Sequence, residues 1–302
     1  MVEPMFTRSF DQPVQVGAVL DVTGPEAKHA ISVRRMRVGE AIQLTDGGGL
    51  RVRGLVDSIV GNNLHVRVSS VEQDEAPKIQ LTLIQALAKG DRDELAIQAA
   101  TELGVAGVVP WEADRSVSRW IGLKEAKGVE RWQSIVTEAA KQSLSTWHPT
   151  VAAPIKGVGV SELVKDFDQV LVLDPTAAQG IGVQNLPKTG SIALVVGPEG
   201  GISDAELEAL EKSGAHRVTW AHLFLGPQPR VLLRSRESLP LLGNGAQSRL
   251  SAGGKIEQPR LHLLQNRQQG YSGKPGRRDR ALACLLGHFA SSADSHLGNP
   301  KA

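Results

Sequence analysis

Five consecutive residues, Gly197, Pro198, Glu199, Gly200 and Gly201, lie between an apolar run and a helix start, and here the main chain itself could do chemistry. Three glycines in five let a ligand approach the backbone, and the unpaired amides of the following helix offer it donors. The loop lacks both the Gly-Lys-Ser/Thr ending of a phosphate-cradling loop and the spacing of a dinucleotide fingerprint. A tight strand-to-helix turn is the plain alternative. Cationic side chains gather where other apolar runs end: Lys89, Arg92 and Arg115 stand where open α/β sheets place their ligands, and a phosphate or RNA would suit them. Taken singly, each would be an ordinary surface cation. The single cysteine, Cys284, allows neither a disulfide framework nor a cysteine zinc site, and no metal ligands are assigned.

The elements that must position these groups follow from periodicity. Ile192–Val196 is continuously apolar, as a parallel strand buried on both faces should be. Ser203 is placed to cap the next helix, Glu206 completes a capping box, and Ile202, Leu207 and Leu210 form a stripe that ends near Gly214. Similar buried strands are expected at 78–87, 105–110 and 169–175. A helix between Gly90 and Gly104 turns Leu95, Ala99 and Leu103 to the core, and a second one over 130–142 buries Trp132, Ile135, Val136, Ala139 and Ala140. Together they give a mostly parallel α/β sheet with right-handed crossovers. Before the polar Glu72–Pro77 stretch, read as a linker, short strands at 41–44, 50–56 and 64–68 with turns at 47–49 and 61–63 suggest a small β-barrel. On it Arg34, Arg35 and Arg37, with Arg51 and Arg53, could grip phosphates or form a solvated face.

With 302 residues the chain can hold two cores. No run approaches the ~20 apolar residues of a membrane span, and one cysteine suits a reducing, cytoplasmic setting. Charge is unevenly spread: residues 221–302 hold 12 Lys and Arg against 4 Asp and Glu, whereas residues 1–220 hold 22 against 28.

The segment LVVGPEGGISDAELEAL resembles the RsmE family, enzymes that methylate N3 of a uridine in small-subunit (16S) ribosomal RNA. EAKHAISVRRMRVGEAIQL is similar to the barrel-like, RNA-binding PUA-like domain that opens those proteins, with His29, Arg34, Arg35, Arg37 and Gly39 at motif positions. Agreement is densest over Lys89, Gly90, Asp91, Arg92, Glu94, Thr101–Gly104, Pro110, Arg115 and Ser116. The resemblance implies residues 1–74 as a PUA-like RNA-binding β-barrel and residues 75–220 as a SPOUT-type α/β methyltransferase domain whose C-terminal chain forms a deep knot. It further implies S-adenosyl-L-methionine as cofactor, small-subunit ribosomal RNA or the 30S subunit as partner, and a homodimer with the active site at the subunit interface. On that reading Val172, Leu173, Asp174 and Val196–Gly201 hold the cofactor, Arg34, Arg35, Arg37 and Lys89 meet RNA, and Arg92, Glu102 and Arg115 orient groups or handle a proton. Glu138, Gln142 and Ser143 match an EAxxQS element placed near the ligand, although Leu144-Ser145 stand where the family continues Gly-Arg.

After Val218 the resemblance stops. The family continues Ser-Leu-Gly-Pro-Arg-Ile-Leu-Arg-Thr-Glu-Thr-Ala; this chain reads TWAHLFLGPQPRVLLRSRESLPLLGNG. Codons chosen for residues 220–244 and read one register over spell Gly-Thr-Ser-Ile-Leu-Arg-Thr-Ser-Thr-Ala-Gly-Val-Ala-Ala-Ile-Ala, which restores the motif. A frameshift near Val218–Trp220 is therefore inferred. Residues 221–302 become an aberrant basic tail whose Gly, Pro and scattered charges suit disorder. The rival readings are a non-catalytic RNA-binding protein, an inactive frameshifted methyltransferase, and a phosphate- or nucleotide-binding enzyme using the glycine loop as an anion nest.

Overall fold

The computed structural model describes residues 3–181 and 186–219. The sequence readings for 220–302 (the knot, the reading-frame change, the basic tail and Cys284) lie outside these residues.

Two sheets divide the chain. The first contains β1 (Met5–Thr7), β2 (Val19–Val22), β3 (Ala41–Thr45), β4 (Leu50–Val60) and β5 (Asn63–Gln73), in the order β1-β3-β4-β5-β2. Only the β1–β3 pair is parallel. Two register shifts in the long β4–β5 hairpin bend it, and the curled sheet closes on Phe6, Ile42, Leu44, Val52, Val56, Leu64 and Val66. Helix α1 (Gly24–Lys28) and a π-turn over His29–Val33 add Ala27 and Ala30 to that core.

The second sheet is parallel throughout. Its strands are β6 (Ile79–Ala86), β7 (Gly107–Glu112), β8 (Thr150–Val151), β9 (Ile155–Lys156), β10 (Gln169–Leu173), β11 (Gly190–Val196) and β12 (His216–Val218). The order is β12-β10-β11-β6-β7-β8, with β9 also on β7. Helices α2 (Arg92–Glu102) and α3 (Leu123–Gln142) cover one face through Ile97, Ala100, Trp132 and Val136. A 3-10 helix at Gly157–Asp166 and α4 (Asp204–Lys212) cover the other through Val160, Val164 and Leu210. Residues on either side of each central strand therefore meet apolar partners, which is why the strands read as unbroken apolar runs.

One helical stripe differs from expectation. Leu95 is 55% exposed, and α2 packs through Ile97, Ala100 and Thr101 with Asp93. Ala and Thr provided the buried turn, so the larger Leu95 misled the reading of the stripe.

The two sheets meet at the N-terminal edge of the parallel one. Asp74, at the end of β5, accepts from Arg51 Nη2 (2.7 Å) and Thr146 Oγ1 (2.7 Å), and Arg51 also reaches Gln43 and the carbonyl of Leu144. The Arg51 hydrogen bonds hold the Asp74 carboxyl below the usual carboxylate range. Lys141, nearly fully buried on α3, pairs with Glu26 of α1 (2.7 Å) and with Glu138 (2.5 Å). Burial pulls its ammonium down, but the two carboxylates outweigh that and raise it. Arg51 and Arg53, expected as phosphate grips, are thus engaged elsewhere, the latter with Glu72 and Glu3.

Candidate active site

Strands β6, β7, β10 and β11 all end at the same edge, opposite the junction with the first sheet. In register there, Leu173 lies beside Val196, Val196 beside Gln85, and Gln85 beside Pro110. Leu173 and Val196 are only half-buried, leaving an apolar shelf at the strand ends. Gln85 is buried and donates to the carbonyl of Ala86, while its Oε1 has no partner.

The glycine loop rises from β11 beside this shelf and is gripped from two directions. From α2's side, Glu199 accepts from the Lys89 N–H (3.1 Å) and pairs with Arg92 (3.2 Å). From β7's side, Arg115 donates to the carbonyls of Gly200 (3.4 Å) and Ile202 (3.3 Å). Glycine is required by geometry at Gly197, where a Cβ would fall 2.5 Å from Ile202, and at Gly201, where φ is +74°. Gly200 is tight, since its Cβ would meet Arg115 at 3.2 Å. Among the described residues no acceptor is paired with the N–H groups of Glu199 and Gly200, and both residues are exposed.

Helix α4 anchors the arrangement. Ser203 caps it with the full capping box that its sequence specifies. Glu206, completely buried, also accepts from the Asp114 N–H at 2.7 Å, and the Ser203 hydroxyl lies 2.9 Å from Asp114 Oδ2. One carboxyl thus joins the glycine loop's helix to the segment carrying Arg115. Glu112 stiffens that segment further by accepting from the Trp120 N–H and Arg119.

Across the shelf lies the turn after β10. Asp174 is buried; its Oδ1 accepts from the Thr176 N–H (2.8 Å) and hydroxyl (2.9 Å), and its Oδ2 accepts from Arg217 through Nε (2.8 Å) and Nη2. Burial pushes this carboxyl up, but these hydrogen bonds prevail and hold it below the ordinary value. Asp174 is therefore a keystone of the turn, with its acceptor positions taken. Val172 is buried on the α4 face.

The structure gathers Lys89, Arg92, Arg115, Leu173, Asp174 and Val196–Gly201 at one edge. Glu102 is not among them. It is exposed at the far end of α2, bonded to Gln98, and eleven helical residues span about 16 Å. Gln142 and Ser143 also lie at the opposite edge within one chain, beside the junction. Arg34, Arg35 and Arg37 are exposed in the segment between the π-turn and β3, and their guanidinium groups pair with no carboxylate among the described residues. An open groove of about 780 Å³ along α3, past Val129, Gln133 and Pro154, is away from the glycine loop. Asp114, Gln85 and Arg217 carry no signal in the sequence, and Glu206 is legible there only as half of a capping box.

The exposed donors and apolar shelf fit a flat heteroaromatic ring with a polar, charged extension. A family model described as an RNA methyltransferase domain matches residues 74–225, and one described as an RNA methyltransferase PUA domain matches residues 22–69. Ribosomal RNA small subunit methyltransferase E of Mycobacterium bovis is 40% identical over 233 residues, covering 75% of this chain and 86% of that protein. The Bacillus subtilis protein of the same name is 31% identical over 246 residues, covering 78% and 92%. Among solved structures, methyltransferase E of Neisseria gonorrhoeae bound to S-adenosyl methionine is 27% identical, with TM-score 0.63 over 76% of this chain and 91% of that one. The curled sheet and the parallel sheet are thus the PUA-like and methyltransferase parts of a mixed α/β protein, and the chain belongs to the ribosomal RNA small subunit methyltransferase E family.

Proposed function

We propose that this protein is an S-adenosylmethionine-dependent ribosomal RNA methyltransferase acting on N3 of a uridine in the small subunit. The observation that carries this reading is the glycine loop, held from two sides with its donors exposed beside the Leu173–Val196 shelf. S-adenosylmethionine, when bound, supplies an electrophilic methyl group. The apolar shelf would take an adenine face, and the free N–H groups of Glu199 and Gly200 would take its acceptors. The chain's own residues position rather than attack: Arg115 fixes the loop, and Arg92 and Lys89 present positive charge at the same edge, where RNA phosphates would be held. N3 gives up its proton to solvent water as it gains the methyl, the demethylated thioether being the leaving group, and positive charge nearby favours the anionic uracil.

The barrel of residues 1–74 would supply RNA contacts through Arg34, Arg35 and Arg37, with residues 75–220 as the catalytic part. The junction with these arginines' sheet and the glycine loop lie at opposite ends of the parallel strands, and the eight residues of β6 between them span about 26 Å. That separation supports a homodimer, in which one copy's barrel serves its partner's loop.

The test is mass spectrometry of small-subunit RNA from cells lacking the modification, after incubation with the cofactor and either the 302-residue chain or a chain carrying the alternative reading frame from Trp220. Methylation at uridine N3 by either chain is the expected result. A methyl on another atom, or RNA binding with no cofactor binding by either chain, overturns the reading in favour of a different enzyme or a non-catalytic RNA-binding protein. Light scattering decides the dimer.

A further inference from the structure

Arg217 lies on β12, a strand of three residues, and no motif in the sequence marks it. Its Nε and Nη2 fork onto Asp174 Oδ2, Nη2 also reaches Thr176 Oγ1 (3.0 Å), and Nη1 lies 3.6 Å from Glu211 of α4. The turn it holds is also fastened through main chain: Ala177 N–H to Asp174 O (3.1 Å), Asp174 N–H to Val218 O (3.0 Å), Thr219 N–H to Gln179 O (2.8 Å) and Ile181 N–H to Thr219 O (3.0 Å). The segment 174–181 begins one residue after Leu173 and so forms the lip facing the glycine loop across the shelf.

The buried Asp174 carboxylate makes this lip conditional. Thr176 satisfies one oxygen; the other has Arg217 alone. A buried carboxylate deprived of its cation turns toward water instead of staying in place, and the turn built on it opens. We propose that Arg217 is a positioning residue for the cofactor: by pairing with Asp174 it sets the conformation of the 174–181 lip and thereby the affinity for S-adenosylmethionine. This rests on the function proposed above, extending it to a residue that acts through Asp174.

The test uses Arg217→Met, Arg217→Lys and the double variant Asp174→Asn/Arg217→Met, each in both chains described above. Hydrogen exchange measured by mass spectrometry on peptides spanning 174–181 should accelerate on the order of tenfold in Arg217→Met, with peptides from β6 and α3 unaffected. By calorimetry, the Kd for S-adenosylmethionine should rise about tenfold. Arg217→Lys should recover part of the affinity through its remaining charge, and the double variant should recover part by removing the unpaired carboxylate. Unchanged exchange across 174–181 overturns the inference, as does unchanged affinity in a variant whose parent binds. A general loss of protection throughout the sheet also overturns it, since Arg217 would then be a stability residue. If neither parent binds the cofactor, the proposed function itself fails, and the exchange result alone shows whether Arg217 governs the lip.

Discussion

Replacing Glu206 by Gln is the sharpest probe of how the site is held together. The side chain is completely buried, with Oε1 accepting from the Asp114 N–H at 2.7 Å and Oε2 from the Ser203 N–H at 3.0 Å. An amide can present its oxygen to only one of these donors. Its NH2 then faces the other N–H, leaving two buried donors opposed. One hydrogen bond lost with an unsatisfied buried group costs about 1–3 kcal/mol, so Glu206→Gln should destabilise by roughly 2–3 kcal/mol. Glu206→Ala loses both bonds and leaves a void, so about 3–5 kcal/mol is expected. For a domain of this size the Gln variant should lower the melting temperature by ~4–12 °C. Urea unfolding followed by the fluorescence of the buried Trp111 and Trp132 reports the stability. Because Asp114 precedes Arg115, the same change should weaken S-adenosylmethionine binding more than global stability accounts for. A Gln variant within ~0.5 kcal/mol of the parent would refute the idea that this carboxyl ties the two segments together.

Leu144 sits in the left-handed region (φ +57°) at the C-terminus of α3, where Leu144 N–H to Lys141 O and Ser145 N–H to Ala140 O complete a Schellman motif. Leu144→Gly removes about 1–2 kcal/mol of steric strain against a smaller entropic cost, so a net gain of roughly 0.5 kcal/mol should appear as a higher urea midpoint. Burial, followed by the nearby charge of Lys141, lowers the His148 pKa below its ordinary value near 6.5. The unfolded chain therefore takes the proton more readily, and stability should fall as pH drops below about 6.5, by up to ~1.4 kcal/mol per unit; His148→Gln should flatten that slope in urea melts at pH 7.5 and 5.5. Gly200→Val should displace Arg115, which a Cβ there meets at 3.2 Å, and raise the Kd for S-adenosylmethionine; calorimetry showing no change would return the loop to a simple turn.

The parallel strands were legible because burial on both faces leaves continuous apolar runs, and α4 was legible because Ser203 and Glu206 encode their own hydrogen bonds locally. Leu95 was misread because α2 turns Ile97, Ala100 and Thr101 inward, a stripe two residues out of step with Leu95 in which small and polar residues hide the pattern. β12 was missed because His216-Arg217-Val218 holds its place through β10 and not through any pattern of its own. Asp174 was found as a strand-end residue, yet its partner lies 43 positions away, and no local spacing reveals which carboxylate a distant arginine will neutralise. The same holds for Arg51, whose engagement with Asp74 and Leu144 is settled only when the two sheets meet. For residues 220–302 the inferred reading frame stands on sequence alone.

The junction closed by Lys141, Glu26, Arg51 and Asp74 has a consequence for what can be a substrate. A loose tether between barrel and catalytic sheet would let each find RNA separately and adapt to many shapes. The partly buried Lys141–Glu26 pair, with Asp74 bonded to Thr146 and Arg51 to the Leu144 carbonyl, fixes the two at one spacing, so the pair works as a calliper with set jaws. An RNA already folded to that spacing engages both jaws without further ordering, whereas a short strand bearing the same uridine must be frozen into shape upon capture and loses affinity accordingly. Selection by such a gauge depends on the distance between two points of a folded particle, with little need to read bases in between; lengthening the 75–78 connection between β5 and β6 should relax it, seen as a narrower gap in affinity between intact subunits and an isolated oligonucleotide.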